Sequence, residues 1–236
     1  MLRPLKYYLR RKQLERLGIG QSATAATDVY GATDIGWGVA TDYLRPGDIV
    51  YSFGVGDSVL FDLGVIEKNK AIVHAFDPTP RCLDWIGQQD LPEDFHFHPY
   101  GLADHDGEIS FLPPRKAKSF HYTPVQRYRF QDQSTAVTGE VKCLRTIMQE
   151  LGHTHIHLLK MDIEGGEYDV LDDILDAGIL ADQLLVEFHH AFATIPFAQT
   201  LRIGRRLVEA GYHPFYMSDR TYEVSYLHQR VLRKAA

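Results

Sequence analysis

One ten-residue stretch constrains the fold more than any other: Leu158-Leu159-Lys160-Met161-Asp162-Ile163-Glu164-Gly165-Gly166-Glu167. A largely apolar run stops at carboxylates, and a glycine pair then opens a segment with helical spacing. Strands that are apolar along their length are buried on both faces, as the central strands of a parallel sheet are. The carboxyl ends of such strands open into the crevice where open α/β sheets bind ligands, because the loops there diverge. Acids at that rim are costly to desolvate unless they bind something. The stretch therefore predicts a fold and a site together.

Other segments repeat the pattern. Residues 48–53 read as the first core strand and stop at Gly54-Val55-Gly56-Asp57, after which Val59, Leu60, Leu63 and Ile66 recur at helical spacing. Residues 71–76 predict a second strand ending at Asp77-Pro78-Thr79-Pro80, with Thr79 placed to cap the next helix and Pro80 suited to its first turn. Residues 95–100 form a third, more exposed strand that ends at Gly101-Leu102-Ala103-Asp104. Asp106-Gly107 then turns into an edge strand or hairpin arm at 108–112. Residues 113–139 show no clear period, and 141–151 read as helical or half-helical before a strand at 155–163.

A helix follows with Val170, Leu171, Ile174 and Leu175 on one face, then a fifth strand at 183–190. A helix over 197–210 is closed by Gly211, and a hairpin turns at Ser218-Asp219-Arg220. Strands alternating with helices predict a Rossmann-like, doubly wound α/β fold with a mostly parallel sheet of about seven strands. The C-terminal hairpin supplies one antiparallel strand. With 236 residues and 44% hydrophobic content the chain can build one such domain. Residues 42–236 are assigned to it, and residues 1–41 to an N-terminal helix and a Thr/Ala/Gly-rich lead-in.

A net charge of −6 argues against a general nucleic-acid binder, which needs a basic surface. Cys82 and Cys143 form no CxxC pair, so a reducing, cytoplasmic setting is the default. No apolar run approaches the roughly 18 residues that span a bilayer, and the basic N-terminus lacks the apolar core of a secretory signal. Leu5, Leu9, Leu14 and Leu17 line one side of a short helix with basic residues opposite. Such a helix docks on its own domain, or meets a membrane surface, a partner or a second copy of the chain.

The chemistry begins at Gly54-Val55-Gly56, between a strand and a helix. Small residues there let the backbone turn tightly and approach a ligand, and the helix N-terminus offers unpaired N–H groups; the same glycines also serve packing alone. Asp77 ends the next strand, 21 residues after Gly56, where an acid can accept hydrogen bonds from the hydroxyls of an adenosine ribose. Together these features point to a nucleoside cofactor, either NAD or S-adenosylmethionine. NAD sites carry a third glycine three positions after the second, and here that position is Val59. Methyl donors carry no pyrophosphate and demand less of the turn. Asp104 is placed for an adenine amino group, or is a turn acid bonding its own backbone.

The segments 50–56 (Val-Tyr-Ser-Phe-Gly-Val-Gly), 74–80 (His-Ala-Phe-Asp-Pro-Thr-Pro), 101–104, 159–167 and 186–189 (Val-Glu-Phe-His) fall in the order seen in the FkbM-like methyltransferases. The resemblance covers about residues 45–217, and the Lys-Met-Asp-Ile-Glu-Gly segment is its most specific part. It implies a class I, S-adenosylmethionine-dependent enzyme that methylates hydroxyl oxygens on sugars or polyketide-type products. By that resemblance Gly54 and Gly56 flank the methionine part of the cofactor, Asp77 the ribose, Asp104 the adenine and Asp162 the reaction centre, and Leu102 also belongs to the cofactor site. The chain departs from the pattern at Ser52, where class I enzymes often carry an acid that helps hold the cofactor's amino group. Either the hydroxyl substitutes through water, or Asp57 or Asp162 takes the role.

Methyl transfer needs an oxygen aligned with the S–CH₃ bond and relieved of its proton. Asp162, Glu164, Glu187 and His189 come from the ends of adjacent strands, and His189 is the expected base because imidazole titrates near neutrality. The same groups could instead hold a divalent cation, although metal-independent transfer is simpler. They also have blander roles: His189 or His190 as a strand cap, and Glu164 or Glu167 as partners of a helix N-terminus. His153, His155 and His157 alternate and would share one face of a strand, which suits no metal. Arg115, Lys116, Lys118, His121, Arg127 and Arg129, interleaved with Phe120, Tyr122 and Tyr128, form a basic loop expected to cover the acceptor, a small hydroxylated molecule. The rival readings are a nicotinamide-dependent oxidoreductase, disfavoured by Val59 at the place of a third glycine, and a non-catalytic module that binds an adenosyl ligand.

Overall fold

The computed structural model of the chain describes residues 2–32, 35–116, 119–125 and 134–232. Helix α1 (Leu2–Arg16) leads to an antiparallel hairpin of β1 (Thr27–Ala32) and β2 (Ile35–Ala40). The alternating part runs β3 (Ile49–Phe53), α2 (Leu60–Asn69), β4 (Ile72–Phe76), α3 (Pro80–Ile86) and β5 (Phe95–His98). A small sheet of β6 (Gly101–Leu102), β7 (Gly107–Phe111) and β8 (Val137–Lys142) follows. Then come α4 (Leu144–Glu150), β9 (Leu158–Met161), α5 (Glu167–Asp176), β10 (Gln183–Glu187) and α6 (Phe197–Glu209). The chain closes with β11 (Tyr212–Met217), β12 (Glu223–His228) and the short α7 (Gln229–Leu232).

The main sheet has seven strands in the order β11-β12-β10-β9-β3-β4-β5. β5, β4, β3, β9 and β10 pair in parallel, and β12 runs antiparallel between β10 and β11. This is the Rossmann-like, doubly wound architecture expected from the sequence. Both faces are covered, and residues one apart on a strand serve different cores. Tyr51, Phe53, Leu159, Met161 and Val186 pack with Ile147, Leu171, Ile203 and Leu207 on one face. Val50, Val73, Leu158 and Leu185 pack with Trp37, Val65, Ile66 and Cys82 on the other.

Several elements differ from the sequence reading. The lead-in contains the β1–β2 hairpin, whose Gly, Asp and Ala give little strand signal. Its Trp37 and Val39 are buried, and the Gln183 side chain both donates to and accepts from the Ala40 backbone. Leu60 is 56% exposed; α2 instead buries Phe61, Asp62, Val65, Ile66 and Asn69. Strand β8 occupies 137–142, so Val141 and Lys142 are extended and the helix begins only at Leu144. β9 starts at Leu158, leaving His155 and His157 ahead of it, each with its own acid, and β10 ends at Glu187 before His189 and His190.

The N-terminal helix docks through Arg10, Arg11 and Leu14, the last only 4% exposed, so the expected leucine face is split. The Arg10 guanidinium stands over the Phe197 ring at 5.2 Å and Arg11 Nη2 donates to Ser218 O at 2.9 Å, while Leu5 and Leu9 face solvent. Among the described residues no helix is long and apolar enough to cross a membrane.

Candidate functional site

β3, β4 and β9 end level with one another: Phe53 is in register with Phe76 on one side and Met161 on the other. The chain leaves β3 through Gly54, at φ +85°, with Gly54 N donating to Phe76 O at 3.0 Å. Asp162 N donates to Phe53 O at 3.0 Å, which draws the Asp162 carbonyl against the turn. A Cβ on Gly54 would stand 1.8 Å from that carbonyl oxygen, so only glycine fits.

Asp77 clamps the other side of the turn. Its Oδ2 accepts from Gly56 N at 3.0 Å, and its Oδ1 accepts from Thr79 N at 2.9 Å and Thr79 Oγ1 at 2.6 Å. The Thr79 hydroxyl is thus spent on Asp77 and does not cap α3. Burial pushes the Asp77 carboxyl above the usual range, and these hydrogen bonds oppose the shift. The Cys82 thiol is a fourth donor to this carboxylate, so a ligand hydroxyl would share or displace one of the four.

The turn, Asp77 and the Asp162–Glu164 corner border one cavity of about 280 Å³. Gly54, Gly56, Asp57, Asp77, Leu102 and Asp162 all line it. Phe76, Ile109 and Phe111 add an apolar wall, and Phe120, His121 and Tyr122 form part of its cover. The cover is tied down: Arg81 packs on the Phe120 ring at 4.7 Å, Thr123 Oγ1 donates to Glu164 O at 2.6 Å, and His121 Nδ1 lies 2.6 Å from Glu164 Oε1. Arg115 and Lys116 are exposed; Lys118, Arg127, Tyr128 and Arg129 of the expected basic loop lie outside the described residues.

Four residues named from the sequence do not line the cavity. Ser52 is fully buried, and its hydroxyl makes no hydrogen bond. Asp104 points outward, its Oδ1 2.6 Å from His105 Nδ1, so it reads as a turn acid with a local partner. Glu187 and His189 sit behind the rim rather than on the cavity wall. Two lining residues had no binding role in the sequence reading: Asp62, from the buried face of α2, and Lys160, from β9. An acid at a buried position of an otherwise apolar helix face was the available signal.

The corner concentrates charge. His189 Nδ1 lies 2.7 Å from Glu167 Oε1, while its Nε2 is 3.5 Å from Glu164 Oε2 and 3.8 Å from Asp162 Oδ1. Glu167 Oε1 also accepts from Ile163 N and Gly165 N, both at 3.2 Å. That network holds Glu164 at φ +52°, a strained conformation of the kind found at functional sites. Burial opposes charge on His189, but Glu167, Glu164 and Glu187 outweigh it and raise its pKa well above the usual value. Asp162 is raised by burial and then by Glu164, and Glu187 is raised well above its usual value by burial and then by Asp162.

Asp162, Glu164 and His189 each offer one donor atom within 4.8 Å of the others, a set that could hold a cation. His155, His157 and Asp182 are equally close at the opposite end of the sheet, but they are engaged locally. Asp182 Oδ1 accepts from Arg230 Nε at 2.7 Å, and His157 Nδ1 accepts from Ile49 N at 3.0 Å.

Residues 48–223 match the family described as Methyltransferase FkbM domain. No curated protein matches the chain. Among solved structures the chain is similar to methyltransferase FkbM from Methylobacillus flagellatus KT, at 15% identity with a TM-score of 0.48, covering 77% of this chain and 44% of that one. The chain thus spans less than half of that protein's length. It is also similar to the fibrillarin pre-rRNA processing protein of Methanococcus jannaschii, at 9% identity and a TM-score of 0.43, covering 88% of this chain and 84% of that one. A third likeness is to P. horikoshii TYW2 in complex with MeSAdo, at 12% identity and a TM-score of 0.33, covering 95% and 83%.

Proposed function

The chain belongs to the FkbM methyltransferase family, and from that premise we propose that it moves a methyl group from S-adenosylmethionine to a hydroxyl oxygen of a small acceptor of sugar or natural-product type. One observation carries the reading: the glycine turn, Asp77 and the Asp162–Glu164 corner open onto a single cavity. Its volume lies near the small end of small-molecule sites, roughly 300–1,000 Å³. The donor set suits the cofactor. The glycines let the backbone approach it closely, Asp77 can accept a ribose hydroxyl, and Leu102, Phe76 and Phe111 give the adenine an apolar bed.

Bound S-adenosylmethionine supplies an activated sulfonium methyl. The chain must then align an acceptor oxygen and take its proton. We assign the proton to Asp162, which lines the cavity and whose raised pKa moves it toward the range of an effective base. His189, the base expected from the sequence, has its pKa raised against burial by Glu167, Glu164 and Glu187 and lies behind Asp162 and Glu164, so we assign it to offsetting their charge. Glu187, nearby, is raised well above its usual range by burial and then by Asp162. A divalent cation on Asp162, Glu164 and His189 would acidify the hydroxyl by another route; chelator treatment and re-addition of Mg²⁺ or Mn²⁺ separates the two. The free cysteines fit a cytoplasmic setting.

Calorimetric titration with S-adenosylmethionine, S-adenosylhomocysteine and NAD tests the proposal. Both adenosyl ligands should bind and NAD should not. Nicotinamide binding without sulfonium binding would overturn it, and adenosyl binding without turnover on a broad panel of hydroxylated acceptors would favour a non-catalytic module.

A further inference from the structure

We propose that Asp62 and Lys160 form a receptor for an α-amino-acid zwitterion, Asp62 accepting from the ammonium and Lys160 donating to the carboxylate. The inference rests on the S-adenosylmethionine reading above and names the groups that hold the methionine end of that cofactor.

Asp62 is 2% exposed, and its Oδ1 is sealed from water and accepts no hydrogen bond. Leaving a buried acceptor unsatisfied is costly, and an apolar residue on that face of α2 would avoid the cost. The carboxylate nevertheless lines the cavity beside Gly54 and Gly56. An acceptor that is buried, unbonded and on a cavity wall is placed for a donor brought by a ligand.

Lys160 has the complementary character. It is 5% exposed, and its Nζ donates to Phe53 O at 3.4 Å and Gly54 O at 3.3 Å. A lysine ammonium with two such bonds can donate once more. The Trp37 ring at 4.9 Å and the Phe61 ring at 5.6 Å hold the cation in place. Lys160 also lines the cavity, directly under the glycine turn. The two charges do not satisfy each other, because no Asp62–Lys160 contact reaches ion-pair distance among the described residues. Lys160 moderates the burial-driven rise in the Asp62 pKa from a distance, as does the nearby Ser52 hydroxyl.

The arrangement accounts for Ser52. That position carries no acid in this chain, and its short hydroxyl is buried off the cavity wall. A carboxylate nevertheless reaches the same floor from α2, ten residues further along. The ammonium-binding acid has therefore moved from the strand to the helix.

The test compares two nucleosides by calorimetry. S-Adenosylhomocysteine keeps the amino-acid end, whereas 5′-methylthioadenosine keeps the adenosine and the thioether but lacks that end. Asp62→Asn should weaken S-adenosylhomocysteine about 30-fold or more and change 5′-methylthioadenosine by less than about 3-fold. Equal losses for both ligands, or no loss for either, would overturn the proposal.

A second measurement needs no variant. Wild-type protein should bind desamino-S-adenosylhomocysteine about 30-fold or more weaker than the parent, and decarboxylated S-adenosylhomocysteine about 10-fold weaker. Parity between desamino and parent ligands would remove Asp62 from this role. Wild-type protein that binds neither nucleoside would remove the cofactor reading itself.

Discussion

Gly54→Ala is the sharpest test of how the sheet and the site are joined. Gly54 sits at φ +85°, which costs an L-residue about 1–2 kcal/mol. A Cβ there would stand 1.8 Å from the Asp162 carbonyl oxygen, against an ordinary contact of at least 3.4 Å. Relief requires the ends of β3 and β9 to part by roughly 1.5 Å, an overpacking cost of about 1–3 kcal/mol. It also stretches the Asp162 N to Phe53 O hydrogen bond, worth about 1 kcal/mol. Gly47→Ala is the matched control: its φ is +83°, and a Cβ there meets nothing within 4 Å. The strain is common to both variants, so their difference isolates the contact at about 2–4 kcal/mol. In a chain of this size that is at least ~4 °C in Tm. Thermal unfolding of the two variants side by side measures it, and S-adenosylhomocysteine titration should show that only Gly54→Ala loses binding. Equal destabilisation of the two, with binding intact, would refute the close approach of the turn to Asp162.

Asp77→Ala removes the acceptor for Gly56 N, Thr79 N and Thr79 Oγ1; it should destabilise the fold by about 1–3 kcal/mol and weaken S-adenosylhomocysteine more than about 10-fold. Unchanged affinity by calorimetry would take Asp77 out of the site. Burial and neighbouring histidines lower His74 to about 3, below its unfolded value near 6.5. Its contribution is therefore complete above pH 6.5 and lost as the pH falls toward 3, so His74→Phe should shrink the drop in Tm between pH 7.5 and 4.5; an unchanged drop would rule His74 out as its source. His189 has the opposite sign: its raised pKa gives stability that is complete below about pH 6.5 and lost as the pH rises through the folded value. His189→Gln should flatten stability above neutrality and cut turnover while leaving S-adenosylhomocysteine affinity nearly intact, and a full rate in an acceptor assay would remove it from the machinery.

The central parallel strands were legible because each is largely apolar and runs into glycine or acid. Ile49–Phe53 and Leu158–Met161 were found this way, and so was the glycine turn between β3 and α2. The hairpin at 27–40 was not, since Gly31, Gly36 and Gly38 dilute the alternation that marks a strand. Nor was β8, where Gly139 takes an inward position of the alternation and leaves only Val137 and Val141 to mark it. Site residues behaved likewise. Gly54, Gly56, Asp57, Asp77, Leu102 and Asp162 reach the cavity because a strand end fixes where the next residue goes. Asp104 lies two residues beyond a two-residue strand, where that constraint has lapsed. Asp62 was hidden because its role depends on which face of α2 is buried, and the leucine at position 60 suggested the wrong one.

The charge balance at the corner explains why the expected base and the one proposed here differ. Position alone favours His189, which follows a core strand at the correct end and carries the side chain that titrates near neutrality. Its surroundings decide otherwise. The carboxylates of Glu164, Glu167 and Glu187 face one imidazole, and the closest, Glu167, is wholly buried. An imidazole among buried acids holds a proton more tightly than in water, which disfavours it as the acceptor of a substrate proton. Asp162 and Glu164, close to one another, resist ionising together. Asp162 is the member of this group that both meets the cavity and feels that resistance. A proton arriving from an acceptor hydroxyl would relieve the repulsion between Asp162 and Glu164. The same electrostatics that disfavours His189 as a base therefore favours Asp162 in the role proposed for it.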